Sequence, residues 1–297
     1  MENEGFYNMV YFSNLLPERC PKTFKGLEKV LAQYGVKCGL LDGTKDIWCR
    51  DYMPVQIMDN RFALFRYEPD YLLDTDGHRA SITDNSIASR YLGTSYLHDC
   101  RHIKLDGGNF ISAHGKVIMT AKVFEENPHY SPLELLNELT RTFGAEIIIL
   151  PWDTNEIYGH TDGIVRFIDD DSVLMTNYAQ FDPAMATRFR RILQTHFKNV
   201  YELSFKTAKP HKYSWAYINW LQTDKVLILP KFGIPEDQEA YEQISKLMIG
   251  VFVLSIHFFV GRYNQHHGTA HFILHPRNIH HVFRRLRLHN MIYYKTI

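Results

Sequence analysis

The stretch GHTDG, residues 159–163, sets His160 and Asp162 two positions apart inside a glycine-bounded turn that runs into the apolar segment GIVRFI. An imidazole gives and takes protons near neutral pH, and a carboxylate beside it can orient it. Three further motifs carry polar groups of the same kind. DIWCRDYMP (46–54) contains Trp48, Arg50 and Asp51; LDGGNF (105–110) sets Asp106 against two glycines; WAYINW (215–220) contains Asn219. Taken singly, each has an ordinary reading: an Asp–Arg surface pair, a tight turn opened by an aspartate, a turn with two polar side chains. Taken together they supply several carboxylates, an aromatic wall and a histidine. Carboxylates converging in an apolar cleft suit a planar cation, because guanidinium presents N–H pairs that match carboxylate oxygens two at a time. A divalent metal is the competing guest. The early motifs contain no HxH or HExxH run, so the expectation is a small guanidine compound as partner rather than a metal.

The elements that must position these residues follow a repeating order of strand and helix. FKGLEKVLAQYG (24–35), SPLELLNELTRTFG (131–144), PAMATRFRRILQTHF (183–197) and EDQEAYEQISKLMIG (236–250) have helical spacing. The second of these opens with Ser131, Pro132 and Glu134, a strong helix start. FALFRY (62–67), KVIMTAKVF (116–124), EIIILP (146–151) and KVLILP (225–230) read as strands, and GIVRFI with SVLMTNY (172–178) as a hairpin. WCRDYMP is also taken as extended, with Trp48, Arg50 and Tyr52 facing away from Cys49 and Asp51. His160 and Asp162 would likewise share a face if extended. Asp51, Asp106, His160 and Asn219 lie about 55, 54 and 59 residues apart. Polar residues recurring at one point of a strand–helix unit of this length suggest a repeat architecture. If the units close in a ring, these positions converge near its axis.

The motifs DIWCRDYMP, LDGGNF, GHTDGIVRF and WAYINWLQTDKVLILPKFGIPED resemble the agmatine deiminase and bacterial peptidylarginine deiminase family, over about residues 40–245. The resemblance implies an α/β fold, the pentein fold: a five-bladed αβ propeller of ββαβ units around a guanidine site. It also implies a mechanism. A cysteine thiolate attacks the guanidinium carbon, ammonia leaves, and water hydrolyses the covalent thiouronium to a ureido product. His160 matches the general acid/base, Asp51 and Asp162 the carboxylates that grip the guanidinium, and Trp48 the aromatic wall. Asp106, Asn219 and Arg50 match further substrate-binding positions.

The bulk of the chain agrees with a soluble enzyme. Its 297 residues carry 33 basic and 33 acidic side chains, so no global charge points to nucleic acid or a membrane. Four cysteines without paired spacing, and no signal-like segment at the start, give a cytosolic expectation. The cancelled charge hides a break, however. After Glu242 there is no Asp or Glu, while residues 243–297 hold seven Lys/Arg and eight of the 16 histidines. The expected division is therefore four propeller units over 1–242 and an atypical or incomplete fifth unit over 243–297. The family nucleophile belongs to a GGxxHC-like stretch near the C-terminus. Its nearest counterpart is HGTAHF (267–272), with Phe272 in the cysteine's place and His267 in a glycine's. Three explanations compete: an out-of-frame or replaced ending, a pseudoenzyme that still binds guanidines, or new chemistry from His266, His267, His271, His275, His280 and His281. In the last case the tail would bind zinc, through His267 and His271 at i, i+4, or nucleic acid through the basic segment 281–297. The motifs see only a guanidinium group, so the rest of the substrate and the oligomeric state are not read from them.

Overall fold

The structure, a computed structural model, describes residues 7–58, 61–257 and 292–296. Its strands are β1 (Tyr7–Ser13), β2 (Lys37–Leu41), β3 (Val55–Met58), β4 (Arg61–Arg66), β5 (Leu97–Lys104), β6 (Phe110–Ala113), β7 (Lys116–Thr120) and β8 (Glu146–Leu150). They continue with β9 (Val165–Asp169), β10 (Ser172–Met175), β11 (Asn199–Glu202), β12 (Leu221–Gln222), β13 (Val226–Lys231), β14 (Phe252–His257) and β15 (Ile292–Thr296). They form five three-stranded sheets with one shared connectivity. In four of them a hairpin, β3–β4, β6–β7, β9–β10 or β12–β13, is followed by a crossover to a strand that lies parallel to the hairpin's second strand. In the fifth, β15 takes the place of the first hairpin strand: it pairs antiparallel with β1, and β1 pairs parallel with β2. The fifth sheet is thus split between the two ends of the chain.

The middle strand of each sheet is the most apolar, because it alone has neighbours on both edges and is covered on its faces. Ile118 of β7, Leu174 of β10 and Leu227 of β13 are all fully buried. A parallel partner needs a crossover long enough to return along the sheet, and in four units a helix supplies it. Helix Pro21–Gln33 lays Leu27 and Leu31 in one core cluster with Val10 and Phe12 of β1. Helix Pro132–Phe143 sets Leu135, Leu139 and Phe143 among Val117 and Met119 of β7. The Ser131–Glu134 capping box starts this helix, and Gly144, at φ 59, ends it in the left-handed conformation that favours glycine. Helices Pro183–His196 and Glu236–Leu247 do the same for the last two hairpins. The crossover from β4 to β5 differs: residues 67–96 form a chain of short helical turns, Asp70–Leu72, Asp76–Arg79, Asn85–Ala88 and Ser89–Leu92 among them.

One sequence expectation changes here. The run 116–124 is not one strand: β7 stops at Thr120, whose backbone N–H is taken by Asn109 Oδ1, and Lys122–Glu126 turns into a helix. The basic segment 281–297 ends in a strand, β15, because β1 offers an open edge. The compositional break at Glu242 falls inside helix Glu236–Leu247, which packs through Ala240 and Ile244. Phe272, His267 and the other histidines of 266–281 lie outside the described residues.

Candidate active site

Each polar motif precedes the first hairpin strand of a unit, and the four connecting segments touch in chain order. Cys49–Tyr52 meets Gly107–Asn109, which meets Thr161–Gly163, which meets Ser214–Ile218. Asp51, Asp106, His160, Asp162 and Asn219 are all at least nine-tenths buried, Asp162 completely. Aspartates are rarely buried so far without a partner or a task.

The segment 49–52 is a helical turn, not the expected strand. Asp46 Oδ1 accepts from the Trp48 N–H at 2.8 Å, and the Asp51 and Met53 N–H groups return to Trp48 O and Cys49 O. These local bonds override the alternating pattern, which was too short to separate a period of 2 from one of 3.6. The turn buries Cys49, Asp51 and Tyr52, while Trp48 and Arg50 remain half-buried. Arg50 directs Nε to Gly107 O and Nη2 to Phe110 O, both at 2.9 Å, and stacks over the Phe110 ring. It ties one motif to the next.

The glycine pair is a matter of space. A Cβ on Gly107 would overlap the carbonyl oxygen of Arg50, and one on Gly108 would overlap the His160 imidazole. The backbone of 107–108 therefore lies flat between the Asp51 turn and the histidine.

His160 is presented by a second built loop. Glu156 accepts from the backbone N–H of Tyr158, Gly159 and His160. Gly159 sits at φ 62, its carbonyl held by Thr120 Oγ1 at 2.7 Å. Beyond His160 the chain bends at Thr161–Gly163, so the expected extended dipeptide is absent and the imidazole's carboxylate neighbours come from other units. Nε2 lies 3.4 Å from Asp106 Oδ2 and Nδ1 lies 4.0 Å from Asp51 Oδ1. Asp162 acts toward Arg166 instead. Burial, with the nearby Arg50 charge, pulls the Arg166 guanidinium down to about 9, and the Asp162 carboxylate opposes this. Asn219 ends the turn Ser214–Ile218, and its Oδ1 has no hydrogen-bond partner among the described residues.

Other residues at the site were not singled out in the sequence. Tyr71, from the irregular β4–β5 crossover, donates to Asp106 Oδ2 at 2.8 Å and stands 3.4 Å from His160 Nε2. Lys122, almost wholly buried, donates to Asp70 Oδ1, Ile157 O and Tyr158 O. Glu126 is pushed up to about 8, first by burial and then by the Asp106 charge, against the pull of Lys122. Three of the four cysteines are held as thiols by burial, which pushes Cys49 up to about 12 and Cys38 and Cys100 to about 11. Among the described residues, no three His, Cys, Asp or Glu side chains converge on a metal position, and no helix is long and apolar enough to cross a membrane.

An imidazole between two carboxylates, walled by a further buried aspartate and a buried amide, can hold a flat cation and move its protons. The family model for Porphyromonas-type peptidyl-arginine deiminases matches residues 27–274, most of the chain. The chain belongs to this family. It is a family of guanidine-modifying hydrolases, and the solved structures agree in fold. The agmatine deiminase of Enterococcus faecalis superposes with a TM-score of 0.67 at 14% identity, covering 99% of this chain and 94% of that one. The C. jejuni agmatine deiminase gives 0.69 at 16% identity, with 99% and 94% covered. A dimethylarginine dimethylaminohydrolase gives 0.54 at 12% identity, with 85% and 93% covered. At these identities the likeness establishes the pentein fold that the motifs implied. No curated protein matches this chain in sequence.

Proposed function

We propose that this chain is a guanidine deiminase scaffold that binds agmatine or a related (peptidyl-)arginine compound and turns it over little or not at all. The observation that carries the reading is the His160 imidazole set between Asp106 and Asp51, at 3.4 and 4.0 Å, in a buried site. In this reading Asp51 and Asp162 accept the guanidinium N–H groups, and Trp48 covers the planar face of the group. Asp106 and Asn219 fix the remaining polar edge. Arg50 contributes by holding the Gly107 and Phe110 carbonyls, which keeps the Asp106 loop in place. In a complete deiminase a thiolate adds to the guanidinium carbon and the tetrahedral adduct expels ammonia, which takes a proton from the imidazolium. The imidazole then removes a proton from the water that attacks the thiouronium, and the thiolate leaves as the ureido product forms. In this reading His160 makes both proton transfers. The nucleophile is what this chain lacks: Phe272 occupies the position that the motif resemblance gives to cysteine. Cys38, Cys49 and Cys100 keep their protons at neutral pH, since desolvation disfavours the charged thiolate.

Calorimetry with agmatine and with arginine tests binding. The expected result is heat with at least one of them and none with a diamine that has no guanidinium. Absence of heat with both removes the reading. Turnover is tested by release of ammonia and ureido product above a blank; a release abolished by His160→Ala would show an active enzyme and overturn the proposed inactivity.

A further inference from the structure

The irregular crossover between β4 and β5 sends one side chain into the site. Tyr71 follows Asp70 in the first of its short turns, and its hydroxyl reaches two groups at once, Asp106 Oδ2 at 2.8 Å and His160 Nε2 at 3.4 Å. The ring is fixed on three sides. It stands edge-on to Tyr158 with centroids 4.7 Å apart and edge-on to His160 at 5.9 Å. Lys122 Nζ lies over its face, 4.9 Å from the centroid, and the ammonium is itself anchored to Asp70 Oδ1 and the carbonyls of Ile157 and Tyr158. One cation therefore holds both the tyrosine and the loop that presents His160. Gly159 leaves room for it, since a Cβ there would overlap the Lys122 stem.

A hydroxyl has a single proton. The proton of Tyr71 goes to the carboxylate of Asp106, which can only accept when ionised, so toward His160 the hydroxyl oxygen is an acceptor. Nε2 then faces two acceptors, Asp106 Oδ2 and Tyr71 Oη, and must carry a hydrogen in every protonation state. The ring nitrogen that exchanges its proton is Nδ1, which faces Asp51 and lies where a Cβ on Gly108 would overlap it. We propose that Tyr71 is a positioning residue that, braced by Lys122, holds Asp106 against His160 and locks the neutral imidazole with its proton on Nε2. The inference deepens the proposed role of His160 and rests on it only for its catalytic meaning; the protonation pattern itself is a property of the resting protein.

The test is nitrogen NMR of protein labelled with 15N-histidine, with the His160 signals assigned by their loss in His160→Gln. In the wild-type chain, at a pH where the His160 ring is neutral, the expected spectrum has Nε2 protonated and Nδ1 as the bare nitrogen. Tyr71→Phe keeps the ring against Tyr158 and Lys122 but removes the hydroxyl. Its expected effect is a fall of about three- to tenfold in the ratio of the Nε2–H to the Nδ1–H form, the worth of one hydrogen bond. A wild-type imidazole protonated on Nδ1 overturns the proposal without any variant being needed, and so does an unchanged ratio in a folded Tyr71→Phe protein. Agmatine is absent from the experiment. A protein that binds no guanidine compound can therefore still support the assignment, and a failed assignment leaves the binding result standing.

Discussion

Gly107 and Gly108 are neighbours with different duties, and a methyl group added at each tells them apart. The Cβ of Gly107→Ala meets a backbone carbonyl of the Asp51 turn, which can yield only if one motif moves off the next. The Cβ of Gly108→Ala meets the side chain of His160, which can rotate away. Overpacking of this kind costs about 1–3 kcal/mol, or about 2–4 °C in Tm for each kcal/mol in a chain somewhat shorter than this. Gly107→Ala is expected to show the larger fall in Tm by thermal unfolding. Gly108→Ala is expected to stay folded and lose the calorimetric signal with agmatine. Equal loss of stability with binding retained in Gly108→Ala would contradict the placement of the imidazole. At this scale the sequence pointed to Asp51, Asp106, His160, Asp162 and Asn219, and the structure buries all five in connecting segments that touch in chain order; what they bind is the proposal above. The sequence was not legible for Tyr71, Glu156 or Glu126, each of which reads as one more surface residue of its own segment. Their meaning comes from contacts between units that no local pattern records. The strand drawn through Trp48–Pro54 failed for a related reason: a single carboxylate, Asp46, closes the turn from outside the motif.

Among the elements, the short helix Lys122–Glu126 carries the least comfortable charge pattern. Glu126 is 9% exposed, its Oε1 has no hydrogen-bond partner among the described residues, and its carboxyl is raised to about 8 by burial and by Asp106. An acid raised in the folded state adds stability while it holds its proton. That contribution is complete below the unfolded value, near 4.5, and is lost as pH climbs through the folded value near 8. Wild-type stability should therefore decline between about pH 5 and pH 8.5, and Glu126→Gln should flatten the decline. At pH 8.5 the variant is expected to be more stable by at least about 1 kcal/mol, read as a Tm higher by about 2–4 °C. Identical pH profiles for the two proteins would mean that Glu126 is ionised in the folded state. Helix Pro132–Phe143 offers the opposite case, an element whose start was written plainly in the sequence. Ser131 Oγ accepts from the Glu134 N–H at 3.3 Å and Glu134 Oε2 accepts from the Ser131 N–H at 2.9 Å. Ser131→Ala should lower stability by about 1 kcal/mol with the heat of agmatine binding unchanged, since the cap touches no part of the site. A capping signal survives in sequence because it is local; the acidity of Glu126 does not, because it depends on Asp106 from another strand's end.

On the scale of the whole molecule, the recurrence of polar residues about every 55 residues announced the repeat, and the middle strands announced themselves as apolar runs. The unit that closes the chain on itself was hidden, since its strands lie at the opposite ends: β15 beside β1, and β1 beside β2. Pattern reading works along a segment, and a sheet built from both ends has no segment to read. The same ends are joined by a second contact, where helix Pro21–Gln33 meets β14 through Gly26 beside Ile256 and Tyr34 against Phe252. With β15 paired to β1, Val10 and Tyr11 sit in a middle strand with partners on both edges. Removing residues 292–297 turns β1 into an edge strand. Hydrogen exchange should then quicken at the β1 amides that point toward the missing strand, while those of β7 and β13, in untouched sheets, keep their protection. A bare edge also invites pairing with another copy, so the truncated chain should form larger species as its concentration rises, which light scattering reads directly. Unchanged exchange along β1 together with an unchanged Tm would mean that the last strand adds nothing to the first sheet, and the chain would then be an open series of four units with two loose ends.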